Sequence, residues 1–323
     1  MELMDLMFEM AALLGLISLS RLIFGAVNFV WVMFLRKPKD LVKCYGTWAL
    51  VTGATDGIGR AMAFQLASKG LSLILLARNP SKLESTSQEL AEKFGNKVAV
   101  KCIVADFDKL KKDEIVKAVQ EGIQGLDVGI LINNAGVIYD FPKFIHEADP
   151  QMVESLLNVN IGGLTWTTMA VLRSMLKRKR GAIVNVGSGT AHVMPGCALL
   201  AAYCASKAYI EYFSKSVTLE FKAHGIDIQC QIPLLVETKT IGAIKAGWLS
   251  PSPETWSKAS IRWIGYEAVC IPYWVHYMET IVFRTMPILI PNGYTLRGRL
   301  LLRKQRMEEK HAMELDVRDK KDP

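Results

Sequence analysis

Tyr203 and Lys207 stand four residues apart in the run Tyr203-Cys-Ala-Ser-Lys207, which opens a long helical pattern. That spacing puts a phenol and an ammonium on one helix face. A phenol has a pKa of about 10, and a cation held close lowers it toward the pH at which a positioned proton donor works best. Ser188, fifteen residues earlier, ends an apolar strand-like run and adds a hydroxyl. The spacing alone proves little, because a second pair occurs at Tyr139 and Lys143. Pro142 lies inside that pair and breaks helical continuity, and Gln124 stands where Ser188 stands for the first pair. Cys204 with His192 has the residue types of a nucleophilic pair, but small buried thiols are common, and the ordinary core reading is preferred. No cysteine or histidine spacing fits a zinc site, so neither a metal nor a disulfide framework is expected among the six cysteines.

A second constellation lies near the start of the chain. Trp48 to Val51 is a short apolar run that ends in Thr52-Gly53-Ala54-Thr55-Asp56-Gly57-Ile58-Gly59, and a helical pattern follows from Arg60 to Lys69. Glycines in such a turn let backbone N–H groups approach a pyrophosphate at the helix N-terminus, where the dipole also favours the anion. The spacing Gly-x-x-x-Gly-x-Gly is one residue longer than the common dinucleotide fingerprint, and no Lys-Ser/Thr follows, which excludes a phosphate-loop NTPase. The next strand ends in Ala77-Arg78-Asn79. An acidic residue there would accept the ribose hydroxyl of NAD, whereas the Arg78 guanidinium suits a 2′-phosphate. The cofactor expected is therefore NADPH/NADP.

Further strands are expected at Leu71 to Leu76, Val98 to Val104, Val128 to Ile132, Ala182 to Val186 and Ile226 to Ile232, with helical patterns between them. Such alternation predicts an α/β fold, a Rossmann-type doubly wound parallel sheet. Ligands of these sheets sit beyond the carboxyl ends of the strands. Thr52 to Gly59, Asp106, Asn133, Ser188 and Pro233 all fall at that edge.

Thr52 to Gly59, Asn133-Asn134-Ala135-Gly136, Asn160, Ser188 and Tyr203 with Lys207, in this order, resemble the short-chain dehydrogenase/reductase family over roughly residues 45 to 240. A closer resemblance, to microsomal very-long-chain 3-oxoacyl-CoA reductases and related 17β-hydroxysteroid dehydrogenases, rests on Thr55 to Gly59, Ile183 to Gly189, Gln229 to Pro233, Ser252-Pro253-Glu254 and Gly265 to Ala268. The resemblance implies that Tyr203 is the general acid for a ketone. It also implies that Lys207 lowers the phenol's pKa and holds the nicotinamide ribose, that Ser188 polarises the carbonyl, and that Asn160 holds a proton-relay water. Cofactor contacts fall to Gly53, Thr55, Asp56, Gly57, Ile58, Gly59, Arg78, Asp106, Asn133, Tyr203, Lys207 and Thr238. Two departures bear on substrate geometry: Pro233-Leu234 stands where many members have Pro-Gly, and the Ser188 to Tyr203 gap is slightly long.

Apolar residues make up 50% of the 323 residues and charged residues 22%, which excludes disorder and collagen-like structure. The net charge of +8 gathers at Arg36 to Lys43 and from Arg297 onward, a pattern that favours anionic lipid or acidic ligands over nucleic acid. From Met10 to Leu35 the only charge is Arg21, and the run is long enough to span a bilayer. Arg21 leaves a buried or interfacial helix as the alternative. Acidic residues precede the run and Arg36, Lys37, Lys39 and Lys43 follow it, so the charge rule places the remainder in the cytosol.

The expected organisation is an acidic N-terminus (1–9), a membrane anchor (10–35), a basic linker (36–46) and an NADP-binding catalytic domain (47–240). A substrate-binding segment of the same domain (241–296) follows. Its aromatic residues Trp248, Trp256, Trp263, Tyr273, Trp274, Tyr277 and Phe283 would line an acyl site or fill core, and Lys239, Lys245 and Lys258 would meet coenzyme A phosphates or solvent. The charged tail (297–323) ends in Lys320-Lys321-Asp322-Pro323, which resembles a dilysine retrieval signal of the endoplasmic reticulum. The function expected is NADPH-dependent reduction of long-chain 3-oxoacyl-CoA in fatty-acid elongation at that membrane, beside other elongase subunits. The alternatives are a hydroxysteroid dehydrogenase and a catalytically silent scaffold.

Overall fold

The computed structural model describes residues 2–194, 196–238, 247–287 and 289–319. It divides into two units, Met1–Pro38 and Lys39–Pro323. The first is a single helix, α1 (Glu2–Val30), prolonged by a π-helical turn over Trp31–Leu35. Glu2, Asp5 and Glu9 lie on that helix, so the acidic start and the anchor are one element. Leu3–Leu35 has 33 residues and holds an 18-residue stretch of mean hydropathy 2.0, and at 1.5 Å per residue it is about 50 Å long, more than the ~30 Å hydrocarbon layer. Ser18 and Ser20 donate their hydroxyls to the carbonyls of Leu14 and Ile17, at 2.8 and 2.9 Å. These polar groups are thus satisfied within the helix, as an apolar surrounding demands.

Among the described residues the second unit holds seven strands: β1 (Trp48–Thr52), β2 (Ser72–Ala77), β3 (Val100–Val104), β4 (Val128–Asn133), β5 (Gly181–Val186), β6 (Ile226–Gln231) and β7 (Val269–Cys270). They form one sheet in the order β3-β2-β1-β4-β5-β6-β7, with every pairing parallel. Parallel strands need crossovers, and helices supply them. The crossovers hold α3 (Gly57–Ser68), α4 (Pro80–Phe94), α5 (Lys112–Ile123), α6 (Pro150–Leu156), α7 (Leu164–Arg178), α8 (Gly189–His192), α9 (Ala201–Phe221) and α10 (Pro253–Ser260), while α2 (Leu41–Tyr45) precedes β1 and α11 (Trp274–Thr285) and α12 (Leu289–Asp319) follow β7. Alternate strand residues feed two cores. Ala49 and Val51 join Met62 and Leu66 on one face, while Leu50 joins Val171 and Met175 on the other. Burial on both faces is why these strands read as unbroken apolar runs. The chain order reverses between β1 and β4, and a crevice opens there at the carboxyl ends.

All six expected strands are present, and the seventh, β7, is too short to show a periodicity. The aromatic third of the chain divides between core and surface. Trp256 and Trp263 are buried in the core, because Gln229 Nε2 donates to the Trp263 carbonyl (3.0 Å) and Gln231 Nε2 to the Ser260 carbonyl (3.1 Å), drawing this segment against the sheet. Trp248 and Trp274 face outward. Lys239 and Lys245, and Lys320 and Lys321, lie outside the described residues, and Lys258 is exposed on α10. The cysteines depart from expectation: Cys197 and Cys204 form a disulfide. The loop before α9 folds back on that helix's first turn and brings the two Cα atoms within 6.2 Å, inside the range a disulfide spans.

Candidate active site

The glycine-rich turn joins β1 to α3. Gly53 and Gly57 have φ of +63° and +49°, a region that side chains disfavour. Asp56 caps α3, its Oδ1 accepting the Gly57 N–H at 2.9 Å. A Cβ on Gly59 would run into the Gly53 carbonyl and the Asn134 amide, so glycine lets α3 seat directly on the turn. Thr52 Oγ1 accepts the N–H groups of Asn134 (3.0 Å) and Ala135 (3.1 Å), and Asn134 Nδ2 donates to the carbonyls of Thr52 (3.1 Å) and Gly53 (3.3 Å). These bonds tie the ends of β1 and β4 together.

The crevice between them is a cleft of about 490 Å3. Gly53, Thr55, Asp56, Gly57, Ile58, Arg78, Asp106 and Thr238 line one part of it, and Ser188, Tyr203 and Lys207 another. The donor set fits a phosphorylated dinucleotide. A helix N-terminus opens onto the cleft, glycines leave the room a Cβ would fill, and the Arg78 guanidinium stands at the end of β2. Lys82, in the first turn of α4, adds a second cation, its Nζ 3.5 Å from Asp56 Oδ2.

Ser188 follows β5 and caps α8, its Oγ 2.8 Å from Thr190 Oγ1. Tyr203 lies in the first turn of α9, and Leu199, two residues before the helix begins, has a φ of +66° in the left-handed region. Burial raises the Tyr203 phenol above its ordinary value, and a hydrogen bond from Ser188 pulls the other way. Lys207 is buried, its Nζ donating to the Val186 carbonyl at 2.9 Å and lying 6.0 Å from the centre of the Tyr203 ring. Burial pushes the Lys207 ammonium down to about 8, with the Cys230 thiol opposing. Desolvation thus moves the Tyr203 phenol upward here, opposite to the direction in which the resemblance has Lys207 move it.

Three expected site residues do not line the cleft. Gly59 lies under the turn. Asn133 faces the interior, its Nδ2 donating to Thr168 Oγ1 and Asn185 Oδ1, both at 2.8 Å. Asn160 sits in a π-helical stretch, Leu157–Gly163. Its Oδ1 accepts the Val137 N–H (2.8 Å), and its Nδ2 donates to the Val137 carbonyl and to Ser206 Oγ, both at 3.0 Å. Both asparagines therefore act here on the walls of the site, because their amides satisfy buried polar groups. Lys82 and the Val186 carbonyl were not singled out from sequence, and Asn134 entered only as part of the Asn133 to Gly136 motif. Lys82, four residues beyond Arg78 and two after Pro80, carries a signal of its own, a second cation in the first turn of the helix after Arg78. Of the competing pairs, Tyr139 is buried and does not line the cleft, and Lys143 reaches Asp140 at 3.5 Å. Cys204 is held in the disulfide, and His192 Nδ1 lies 2.9 Å from Glu211 Oε2.

The profile of the family described as short chain dehydrogenase matches residues 47–247. The chain belongs to this family. It is 43% identical over 279 residues to a very-long-chain 3-oxoacyl-CoA reductase-like protein of Arabidopsis thaliana, covering 85% of this chain and 88% of the relative. It is 37% identical over 268 residues to the inactive hydroxysteroid dehydrogenase-like protein 1 of Homo sapiens, covering 82% of this chain and 79% of the relative. Among solved structures, a short-chain dehydrogenase from Sphingobium yanoikuyae in complex with NADPH superposes with a TM-score of 0.60 at 26% identity, over 74% of this chain and 96% of that one. The fold is thus that of a short-chain NAD(P)-dependent oxidoreductase acting between CH–OH and C=O groups.

Proposed function

We propose that this protein is an NADPH-dependent reductase of long-chain 3-oxoacyl-CoA, anchored in the endoplasmic reticulum membrane by residues 10–35, with its catalytic domain (47–240) in the cytosol. The observation that carries the reading is the convergence of Ser188, Tyr203 and Lys207 on one cleft, opposite the Gly53 to Gly59 turn. When bound, NADPH supplies a hydride to the ketone carbon. Ser188 Oγ donates a hydrogen bond to the carbonyl oxygen and polarises it. Tyr203 then gives its phenolic proton to that oxygen as negative charge develops, which is the transition-state interaction that lowers the barrier. A raised phenol pKa keeps this proton on Tyr203 through the neutral range. Lys207, buried against Val186, supplies positive charge to the phenolate left behind. Arg78, with Lys82 beside it, meets the 2′-phosphate.

The acyl-CoA substrate is favoured by the Arabidopsis relative's name and by the sequence features shared with that subfamily. A catalytically silent protein is favoured by the human relative's name, and the presence of Ser188, Tyr203 and Lys207 together in the cleft argues against it. NADPH oxidation by the purified full chain, measured against a panel of 3-oxoacyl-CoAs and steroid ketones, tests the assignment. Preferred turnover of long 3-oxoacyl-CoA supports it, preferred turnover of a steroid ketone replaces it, and no turnover of either refutes it. Orientation is tested separately: a catalytic domain that protease in sealed microsomes cannot reach until detergent is added would refute the cytosolic placement. Changing Lys320 and Lys321 to Ser is expected to weaken retention without altering catalysis.

A further inference from the structure

The helix α11 is amphipathic in the reverse of the usual sense. Trp274, Met278, Ile281 and Val282 recur at i, i+4, i+7 and i+8 and form its outer face, each between 41% and 48% exposed. Its inner face carries buried Val275, His276 and Thr280. A helix facing water turns its polar side outward, so this outer face calls for an apolar surrounding. Its neighbours extend the patch. Tyr273 donates its hydroxyl to the Trp248 carbonyl at 3.1 Å, which sets Trp248, 81% exposed, and Leu249 beside the start of α11. His276 links the helix to the cleft: its Nδ1 accepts the Leu234 N–H and its Nε2 donates to the Leu235 carbonyl, both at 3.2 Å. Leu234 lines the cleft and Leu235 faces outward.

We propose that the face made by Trp248, Leu249, Trp274, Met278, Ile281 and Val282 lies in the interfacial layer of the bilayer, where a long acyl chain passes from lipid to the cleft beside Leu234 and Leu235. The proposal rests on the reading of residues 10–35 as a membrane anchor. Three observations select lipid as the occupant. Only residues 36–38 separate the end of the apolar helix at Leu35 from the second unit at Lys39, and three residues reach at most about 11 Å, so the second unit works at the membrane surface. Tryptophans at the patch match the side chain that settles at the headgroup level. The basic residues gathered between Arg36 and Lys43 and from Arg297 onward complement anionic headgroups. With 12 residues and with Glu279 and Arg284 on it, α11 is too short and too charged to cross. It lies in the plane, its apolar face about 5 to 10 Å deep.

The test uses the full chain reconstituted in vesicles of phosphatidylcholine and phosphatidylserine whose phosphatidylcholine is brominated on its acyl chains. Bromine quenches only tryptophans that reach lipid. The chain has seven tryptophans. The expected result is that Trp248→Phe with Trp274→Phe removes the part of the quenching these two contribute, and that Trp31→Phe separately removes the anchor's part. Quenching unchanged by the double substitution overturns the proposal. If Trp31 alone is quenched, the anchor stands and the patch does not; if none is quenched, both fall. A second copy covering the face would likewise leave the double substitution without effect on lipid quenching and would overturn the proposal. NADPH binding verifies that the double variant is folded. Should it not fold, Met278→Ser with Val282→Ser keeps both tryptophans, and the expected outcome is weaker quenching of the wild-type emission. Turnover of 3-oxoacyl-CoA enters none of these readouts, so failure of the substrate assignment is distinguished from failure of this one.

Discussion

Lys207 offers the sharpest test of how the site works, because its environment sets a pH at which activity must fail. Its ammonium has lost water to burial and keeps one carbonyl partner, which brings its pKa from the ordinary 10.5 to about 8. A single titration near that value favours the ammonium at pH 7 and depletes it by pH 9, so a reaction that needs the cation slows roughly tenfold across that interval. Its neighbours do not titrate there. Burial holds the Tyr203 phenol above its ordinary 10.0, burial pushes the Cys230 thiol up to about 12, and His276 is pushed down to about 4. The assay is kcat/KM for NADPH at saturating ketone, followed by absorbance from pH 6 to 10. Lys207→Arg provides the control, since a guanidinium stays charged across the whole range. The wild type is expected to lose rate above pH 8, and the arginine variant, whatever its absolute activity, to lose this limb. A wild-type profile flat to pH 10, or the same limb in Lys207→Arg, would refute the assignment of positive charge to Lys207. The same shift acts on stability with the opposite sign. The unfolded chain binds the proton more tightly than the folded one, so between about pH 8 and 10.5 the Lys207 contribution grows more favourable as pH rises.

Tyr203→Phe is expected to lower the chemical step by at least ~100-fold, the range for a positioned acid, while fluorescence titration shows NADPH still bound; Tyr139→Phe leaves turnover near normal. Arg78→Ala is expected to weaken NADPH by roughly 10- to 100-fold through loss of a charge-assisted contact and to leave NADH almost unchanged; equal losses in both titrations would reduce Arg78 to a fold residue. Glu211 is buried, which by itself raises its carboxyl, yet the hydrogen bonds from His192 and Lys215 hold it down at about 2. Its stabilisation is therefore present above the ordinary 4.5 and is lost as pH falls toward 2. Glu211→Gln is expected to cost about 1 to 2 kcal/mol at neutral pH, with the gap to wild type in denaturant midpoints closing on acidification.

The sheet was legible because burial on two faces writes itself as short apolar runs, and because Gly53, Gly57 and Gly59 are required by two left-handed φ values and by a helix seated on the turn. The order of chemical residues along the carboxyl edge followed from the same alternation, which is why Arg78, Asp106, Ser188, Tyr203 and Lys207 all line one cleft. Side-chain direction was not legible. Asn133 and Asn160 stand in the right places in sequence, but each turns its amide to buried hydrogen-bonding groups whose identity depends on neighbours 23 to 52 residues away. Nor could sequence weigh desolvation of the Tyr203 phenol against the Lys207 cation, since both effects depend on depth rather than spacing.

The C-terminal third shows the same limit in its strongest form. Trp256 and Trp274 are equally apolar in sequence, but two buried glutamines on β6, Gln229 and Gln231, bond the carbonyls of Trp263 and Ser260 and so draw α10 into the core. In α11 the chain segment at Leu234 and Leu235 presents a backbone N–H and a carbonyl that need partners, and His276 supplies both. Once His276 and Thr280 must face inward, Trp274, Met278, Ile281 and Val282 have no direction left but outward. Periodicity reports that a helix has an apolar stripe, and only the polar demands of the surface beneath it decide which way the stripe points.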